Sequence, residues 1–293
     1  MTAVLMDGKA LAAEITERLR AQVDRMKSDG VVPTLATVLV GDDPASRVYV
    51  SRKHRAAEAI GIGLRNYTLP ENTAEGELTS LIESLNADGT VNGILLQLPL
   101  PSHLEQRRAT EKIEPNKDVD GLTVTNAGRL VYGESDLIPC TPRGVMELLH
   151  HYSITVESAQ VVIVNRSMLV GKPLHHLLLN EDATVTVCHS KSSDLSSLTR
   201  DADILITAVG RRPEFVVTAD MVKEGAVVVD VAMNRVEGKL VGDVDFEGVS
   251  KKASYITPVP GGVGPMTVAM LMQNTLVATT KQKRALVSPV AQQ

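Results

Sequence analysis

The sequence predicts an α/β protein of two domains, the second built on a doubly wound parallel sheet, and three observations carry that expectation. Its 293 residues exceed the roughly 100–150 common for a single domain. Strand-like apolar runs alternate with helix-like segments along most of the chain. The alternation pauses at a turn bracketed by prolines near residues 138–142 and then starts again.

In chain order, Leu11, Ile15, Leu19, Val23 and Met26 recur at helical spacing, and Gly30 stops that helix before a strand over Thr34 to Val40. Asp42-Asp43-Pro44 opens a second helix. Arg65 to Leu69 is extended, Glu77 to Leu85 is helical, and Gly93 to Gln97 is a short apolar strand ended by Pro99 and Pro101. Beyond Cys140-Thr141-Pro142, Val161 to Val164 reads as a strand buried on both faces. A turn, a helix from Pro173 and strands at Thr184 to Cys188, Ile204 to Thr207 and Ala226 to Asp230 follow, the spacing of a Rossmann-like sheet. A last helix from about Pro265 to Thr279 carries an apolar stripe of Val268, Leu271, Met272 and Leu276, with the first domain as its expected packing surface. The expected domains are therefore 1–140, completed by a helix at 265–285, and 141–264.

Composition narrows the function classes. Hydrophobic residues at 43% and charged residues at 22% are ordinary globular usage, which argues against disorder. No run reaches the roughly 18–20 apolar residues of a membrane span, and Met1 to Asp7 lacks the basic start of a secretory signal. A cytoplasmic protein without a membrane partner is expected. A net charge of −5 argues against a nucleic-acid partner, since phosphate binding relies on concentrated Lys and Arg. Cys140 and Cys188 stand far apart without zinc-site spacing, so two reduced, buried thiols and no metal are expected.

Several residues could carry chemistry on a small molecule. Tyr49 and Lys53 stack four apart on one helix face, where a ring and an amine can meet one ligand. The plain alternative is a half-buried Tyr beside a solvated Lys. Gln97 ends a strand where open α/β sheets bind ligands, or is simply a polar strand end. Asp118 and Asp120 lie in a turn-forming run where most Asp residues only cap backbone groups. In the second domain, Asn165 to Pro173 occupies the phosphate-turn position, yet the G-x-G-x-x-G string is missing and only Gly171 survives as a close-approach glycine. The next strand ends in Cys188-His189-Ser190-Lys191, without the acidic residue that accepts the ribose hydroxyls of NAD. Arg166 and Ser190, with Lys191 a third candidate, can instead hold a 2′-phosphate, which favours NADP. Pro260-Gly261-Gly262-Val263-Gly264-Pro265 lets the backbone pass close to a ligand, or is a structural turn.

Taken together the chain resembles the bifunctional methylenetetrahydrofolate dehydrogenase and cyclohydrolase family, known in bacteria as FolD. The resemblance rests on Tyr49 with Lys53, Gln97-Leu98-Pro99-Leu100-Pro101, Lys117-Asp118-Val119-Asp120-Gly121, Cys140-Thr141-Pro142, Arg166-Ser167 with Val170-Gly171-Lys172-Pro173, Cys188-His189-Ser190, and Thr257 to Thr267. It implies an N-terminal α/β folate-binding domain, a Rossmann-like NADP-binding domain, a returning C-terminal helix and a homodimer formed through the NADP domains. Its implied catalytic set is Lys53, Tyr49, Gln97 and Asp120, with Asp120 gripping the pterin. Leu98 and Pro260, Gly261, Gly262, Val263 and Gly264 complete the implied substrate site; Asn165, Arg166, Ser167, Gly171, Ser190 and Met233 form the cofactor site. The implied reactions oxidise 5,10-methylenetetrahydrofolate with NADP and hydrolyse the methenyl product to 10-formyltetrahydrofolate, with tetrahydrofolate derivatives as the partners.

Two family glycines are replaced, by Asn165 before Arg166-Ser167 and by Ala232 in Val231-Ala232-Met233-Asn234. Asn tolerates the left-handed region best after Gly, so Asn165 is expected to keep the turn's backbone. The two changes predict a working dehydrogenase with weakened NADP affinity and an untouched cyclohydrolase step, which needs no nucleotide contact. A non-catalytic nucleotide-binding protein is the rival reading of this eroded turn, and the joint presence of Tyr49, Lys53, Gln97 and Asp120 argues against it. A short-chain dehydrogenase, which also uses a Tyr-x-x-x-Lys pair, is excluded by order, because its nucleotide turn precedes the pair.

Overall fold

The structure is a computed structural model and describes residues 2–287. From the N-terminus the chain forms β1 (Val4–Leu5), α1 (Gly8–Ser28), β2 (Thr34–Val40), α2 (Pro44–Ile60), β3 (Gly63–Leu69), α3 (Glu75–Ala87), β4 (Gly93–Leu96), α4 (Gln106–Thr110), α5 (Val124–Val131) and α6 (Cys140–His151). It continues through β5 (Gln160–Val164), α7 (Gly171–Leu179), β6 (Thr184–Cys188), α8 (Leu195–Arg200), β7 (Ile204–Thr207), β8 (Val227–Asp230), β9 (Asn234–Val236), β10 (Lys239–Val241), α9 (Phe246–Val249), β11 (Tyr255–Ile256) and α10 (Val263–Val287). The chain divides into two compact units, one of Glu14–Cys140 with the segment from Val268 on, the other of Met1–Ala13 with Thr141–Thr267.

The first unit holds a parallel sheet in the order β3-β2-β4. Its central strand is buried from Leu35 onward, so its continuous apolar run reflects cover on both faces. On one face Leu78, Ile82 and Leu85 of α3 pack with Val38, Val40, Ile94 and Leu96. The expected start of α2 is present in detail: Asp43 caps it by accepting from Ser46 N at 2.7 Å, Pro44 follows, and left-handed Gly61 ends it. In the C-terminal helix Leu271, Met272 and Leu276 are buried, together with polar Asn274, Thr275 and Thr279. The Asn274 amide donates to Val119 O at 2.8 Å and Ile138 O at 2.7 Å, and Gln282 Nε2 to Asn92 O at 2.7 Å.

The second unit holds a six-stranded parallel sheet, β1-β11-β8-β7-β5-β6. The chain leaves β5 toward β6 on one side and then crosses to β7 on the other, so the order reverses beside β5. Ligands of doubly wound sheets bind outside the carboxyl ends of strands at such a switch point. The first thirteen residues belong to this unit, which differs from the expected grouping of 1–140. Val4 and Leu5 pair with Tyr255 and Ile256, and the Ala3 and Met6 side chains are buried. A two-residue strand has too little periodicity to be legible before its partner strand is known. The β9–β10 hairpin was equally illegible; it turns on Glu237 and Gly238, both at positive φ.

Candidate active site

In the first unit, α2 presents Tyr49 and Lys53 one turn apart, Tyr49 exposed and Lys53 partly buried. Lys53 Nζ donates to Gln97 Oε1 at 3.0 Å. Gln97 is fixed at the end of β4 by its backbone N–H on Val38 O at 2.9 Å, and its Nε2 donates to Leu98 O at 2.6 Å, which turns the amide oxygen toward the lysine. The neighbouring His54 pins α2 to the sheet. Thr37 gives its hydroxyl proton to Asn66 Oδ1 at 2.9 Å, so His54 Nε2 is the donor to Thr37 at 2.8 Å. Burial lowers the His54 pKa, and the Lys53 charge adds to this while Glu58 opposes it.

Asp120 joins the same group through a built segment. Lys117, buried, donates to the Leu85, Asn86 and Asp88 carbonyls at 3.0, 2.7 and 2.8 Å, which caps the C-terminal end of α3. Its own carbonyl accepts from Ile94 N at 2.7 Å, which lays residues 117–118 beside β4. Asp118 is buried and accepts from Thr123 N at 2.8 Å and Asn126 Nδ2 at 3.0 Å, the capping alternative raised from the sequence. Gly121, at φ +66°, has no room for a side chain, since a Cβ would stand 2.6 Å from Leu137 O. This leaves Asp120 partly exposed, its Oδ1 accepting from Cys140 Sγ at 3.5 Å. Burial raises the Asp120 pKa; the Lys53 charge pulls it down, Asp118 pushes it up further, and the Cys140 bond lowers it. Sequence reasoning assigned no role to Lys117, Asn274 or His54, whose partners lie far off in the chain or on other elements.

In the second unit, a cavity of about 450 Å³ opens at the switch point, at the ends of β5, β6 and β7. It gathers Asn165, Arg166, Ser167 and Ser190 of the expected cofactor residues. Arg211, Val209 and Phe215, which follow β7, and Leu195, at the start of α8, also line it, and no motif within one segment marks them. Gly171 lies against the turn, where a Cβ would stand 2.0 Å from Asn165 O. Asn165 is not among the positive-φ residues, so a left-handed backbone is not how it keeps the turn. Its side chain organises the turn instead, with Oδ1 accepting from Ser167 N at 2.7 Å and Gly171 N at 3.0 Å, and Nδ2 donating to Ala208 O at 2.6 Å.

Met233 does not line this cavity; its sulfur neighbours Gly264 in the glycine-rich turn. That turn has structural reasons for its glycines. Gly261 stands at φ +110° with its carbonyl on Lys9 N at 2.9 Å, and Gly262 packs so closely that a Cβ on Gly8 would lie 2.0 Å from its carbonyl oxygen. Ala232, buried, donates its N–H to Asp230 Oδ1 at 3.1 Å. Asp230 and Asp243 together bind the loops after β7 and β8. Asp243 accepts from Thr207 Oγ1, Val209 N, Gly210 N and Asn234 Nδ2, and Asp230 Oδ2 from Val244 N at 2.8 Å. Burial lifts the Asp230 carboxyl to about 6.

A family model for the catalytic domain of tetrahydrofolate dehydrogenase/cyclohydrolase matches residues 6–120, and one for the NAD(P)-binding domain of the same enzymes matches residues 139–283. The chain belongs to the tetrahydrofolate dehydrogenase/cyclohydrolase family. The bifunctional protein FolD of Cenarchaeum symbiosum is 55% identical over 278 residues, which cover 95% of this chain and 99% of the relative. The crystal structure of the bifunctional enzyme FolD from Campylobacter jejuni superposes with a TM-score of 0.93 at 52% identity, covering 95% of this chain and 99% of that one. The FolD of Trypanosoma brucei, solved with NADP and an inhibitor, superposes at 0.92 with 38% identity, covering 97% of this chain and 99% of that one. A tetrahydrofolate dehydrogenase/cyclohydrolase is an oxidoreductase and a hydrolase in one chain, acting in one-carbon metabolism with a nicotinamide dinucleotide. Among the described residues no helix is long and apolar enough to cross a membrane, and no cluster of His, Cys, Asp or Glu could hold a metal.

Proposed function

We propose that the Lys53–Gln97 pair, with Tyr49 and Asp120 around it, is the place where 5,10-methylenetetrahydrofolate is oxidised and the methenyl product is hydrolysed to 10-formyltetrahydrofolate. The observation that carries this reading is the 3.0 Å bond that holds the Lys53 amine on the Gln97 amide oxygen in a partly buried site. When bound, the nicotinamide would supply the hydride acceptor for the first reaction, and the folate nitrogens would stabilise the cation left behind. For that step the protein has only to align the folate, a task suited to the Tyr49 ring, Leu98 and the carboxylate of Asp120, which would accept from the pterin's N–H groups. Hydrolysis needs a proton taken from water and one given to a departing nitrogen. Lys53, with one donor spent on Gln97, keeps its remaining valences for that exchange.

The second unit's cavity would take NADP in preference to NAD, with Arg166 and Ser190 on the 2′-phosphate and Arg211 adding a second guanidinium. Ser167 and Gly171 shape the same turn, and the Pro260–Gly264 segment runs beside Met233 within the same unit. A homodimer through the NADP-binding units fits β6, which ends the six-stranded sheet and offers its outer edge to a second copy. A cytoplasmic setting fits two buried cysteines that are not joined in a disulfide.

Lys53→Met, which keeps the apolar stem, tests the assignment. Hydrolysis of methenyltetrahydrofolate should fall by on the order of 10²–10⁴, the usual loss for one positioned acid–base group. A variant hydrolysing at the parent rate would remove Lys53 from the mechanism.

A further inference from the structure

The head of α7 is the position where a nucleotide-binding sheet ordinarily offers main-chain N–H groups to a diphosphate. Here the donors are already used. Helix α7 begins after Val170, and the first N–H groups of a helix have no partner within it. Val170 N donates to Ser167 Oγ at 3.1 Å, Gly171 N to Asn165 Oδ1 at 3.0 Å and Lys172 N to Ser167 O at 3.0 Å. The next residue is Pro173, which has no N–H, and Leu174 N already bonds Val170 O at 3.0 Å. The turn's own Ser167 N also points at Asn165 Oδ1, at 2.7 Å.

One carboxamide oxygen therefore takes up two converging N–H groups at the edge of the cavity that Asn165 and Ser167 line. Resting on the reading that the nucleotide occupies this cavity, we propose that Asn165 is an internal stand-in for a diphosphate oxygen, which lowers the affinity of every diphosphate-bearing nucleotide and leaves binding to the side chains that read the 2′-phosphate. The bond from Asn165 Nδ2 to Ala208 O holds the amide in that orientation, since reversal would place an amide nitrogen against two donors and an oxygen against a carbonyl. The effect is common to NAD and NADP. It sets absolute affinity, whereas Arg166 and its neighbours set the ratio between the two.

The test measures dissociation constants of the full chain for NADP, NAD, ADP and 2′-AMP by calorimetry, in the parent, Asn165→Gly, Asn165→Ala and Arg166→Ala. Freeing the two N–H groups should tighten NADP, NAD and ADP together by about tenfold, the worth of one charge-assisted hydrogen bond. The NADP-to-NAD ratio and the affinity for 2′-AMP, which has no diphosphate, should stay as in the parent. Asn165→Ala removes the acceptor without loosening the backbone, so it gives the same reading if the glycine variant folds poorly. Unchanged affinities, or a parallel weakening for all four ligands, would make Asn165 a plain brace and overturn the proposal. Arg166→Ala checks the underlying placement separately: it should weaken NADP and 2′-AMP and spare NAD and ADP, and if it alters none of them the nucleotide lies elsewhere and the proposal falls with that reading.

Discussion

Asp118 is buried and spends its carboxylate on Thr123 N and Asn126 Nδ2, whereas Asp120, two positions on, is partly exposed in the field of Lys53. The same side chain is a loop anchor in one place and a candidate ligand group in the other. Asp120→Ala should mainly raise the Michaelis constant for the folate, because ligand donors would be left unpaired, and should leave NADP affinity as it was. Damage to NADP affinity with an unchanged folate constant would contradict the placement. In the parent, both oxygens of Asp120 can accept from the ligand's N–H groups only when the carboxyl is ionised, and burial raises the Asp120 pKa. Folate affinity should thus begin to fall, as the medium is acidified, at a higher pH than for an ordinary aspartate. Asn165 gives the same lesson at this scale: the turn is kept through the side chain's three hydrogen bonds rather than through a left-handed backbone.

Among the elements, α3 ends on an ammonium rather than a glycine. Lys117→Met would leave the Leu85, Asn86 and Asp88 carbonyls without their donor, at a cost of about 3 kcal/mol for the buried groups involved. A chemical-denaturation midpoint unchanged from the parent would show that water replaces the ammonium. Asp230 joins the loop after β8 to Val244, and its carboxyl stands at about 6 against an ordinary 3.8. A raised carboxyl pKa means that the folded state holds the proton more tightly. Stability from this group is therefore fully present below the ordinary value and is lost as pH rises through about 6, by about 3 kcal/mol in all. Asp230→Asn should flatten the slope of melting temperature against pH between about 4 and 6. An identical slope in parent and variant would mean that Asp230 ionises freely in the fold.

For the molecule as a whole, the chain's first residues and the sheet of its second unit are one structure. Met6 is fully buried there and its N–H bonds Ile256 O at 2.9 Å, although some 250 positions separate the two. Met6→Ala should cost about 3 kcal/mol, the usual range for emptying a buried methionine site. Nucleotide binding should weaken first on heating, because the affected sheet is the one that carries the 450 Å³ cavity. Loss of folate binding before nucleotide binding in the same experiment would place residues 1–13 with the other unit.

Local chemistry written in consecutive residues was legible without coordinates: the strands at 34–40, 184–188 and 204–207, the Asp43-Pro44 helix start, and the clustered motifs that mark the family. These rest on periodicity, caps and residue type, which act over a few positions. Tertiary structure alone decided that Lys117 caps a helix some 30 residues earlier and that β1 pairs with β11, and it supplied the 3.0 Å contact across 44 positions that sets Gln97 beside Lys53, a pairing the family resemblance implies. It also decided which way the Asn165 amide points. Hydrogen-bond partners distant in sequence are chosen by the packing of whole elements, and no spacing within one segment encodes that choice.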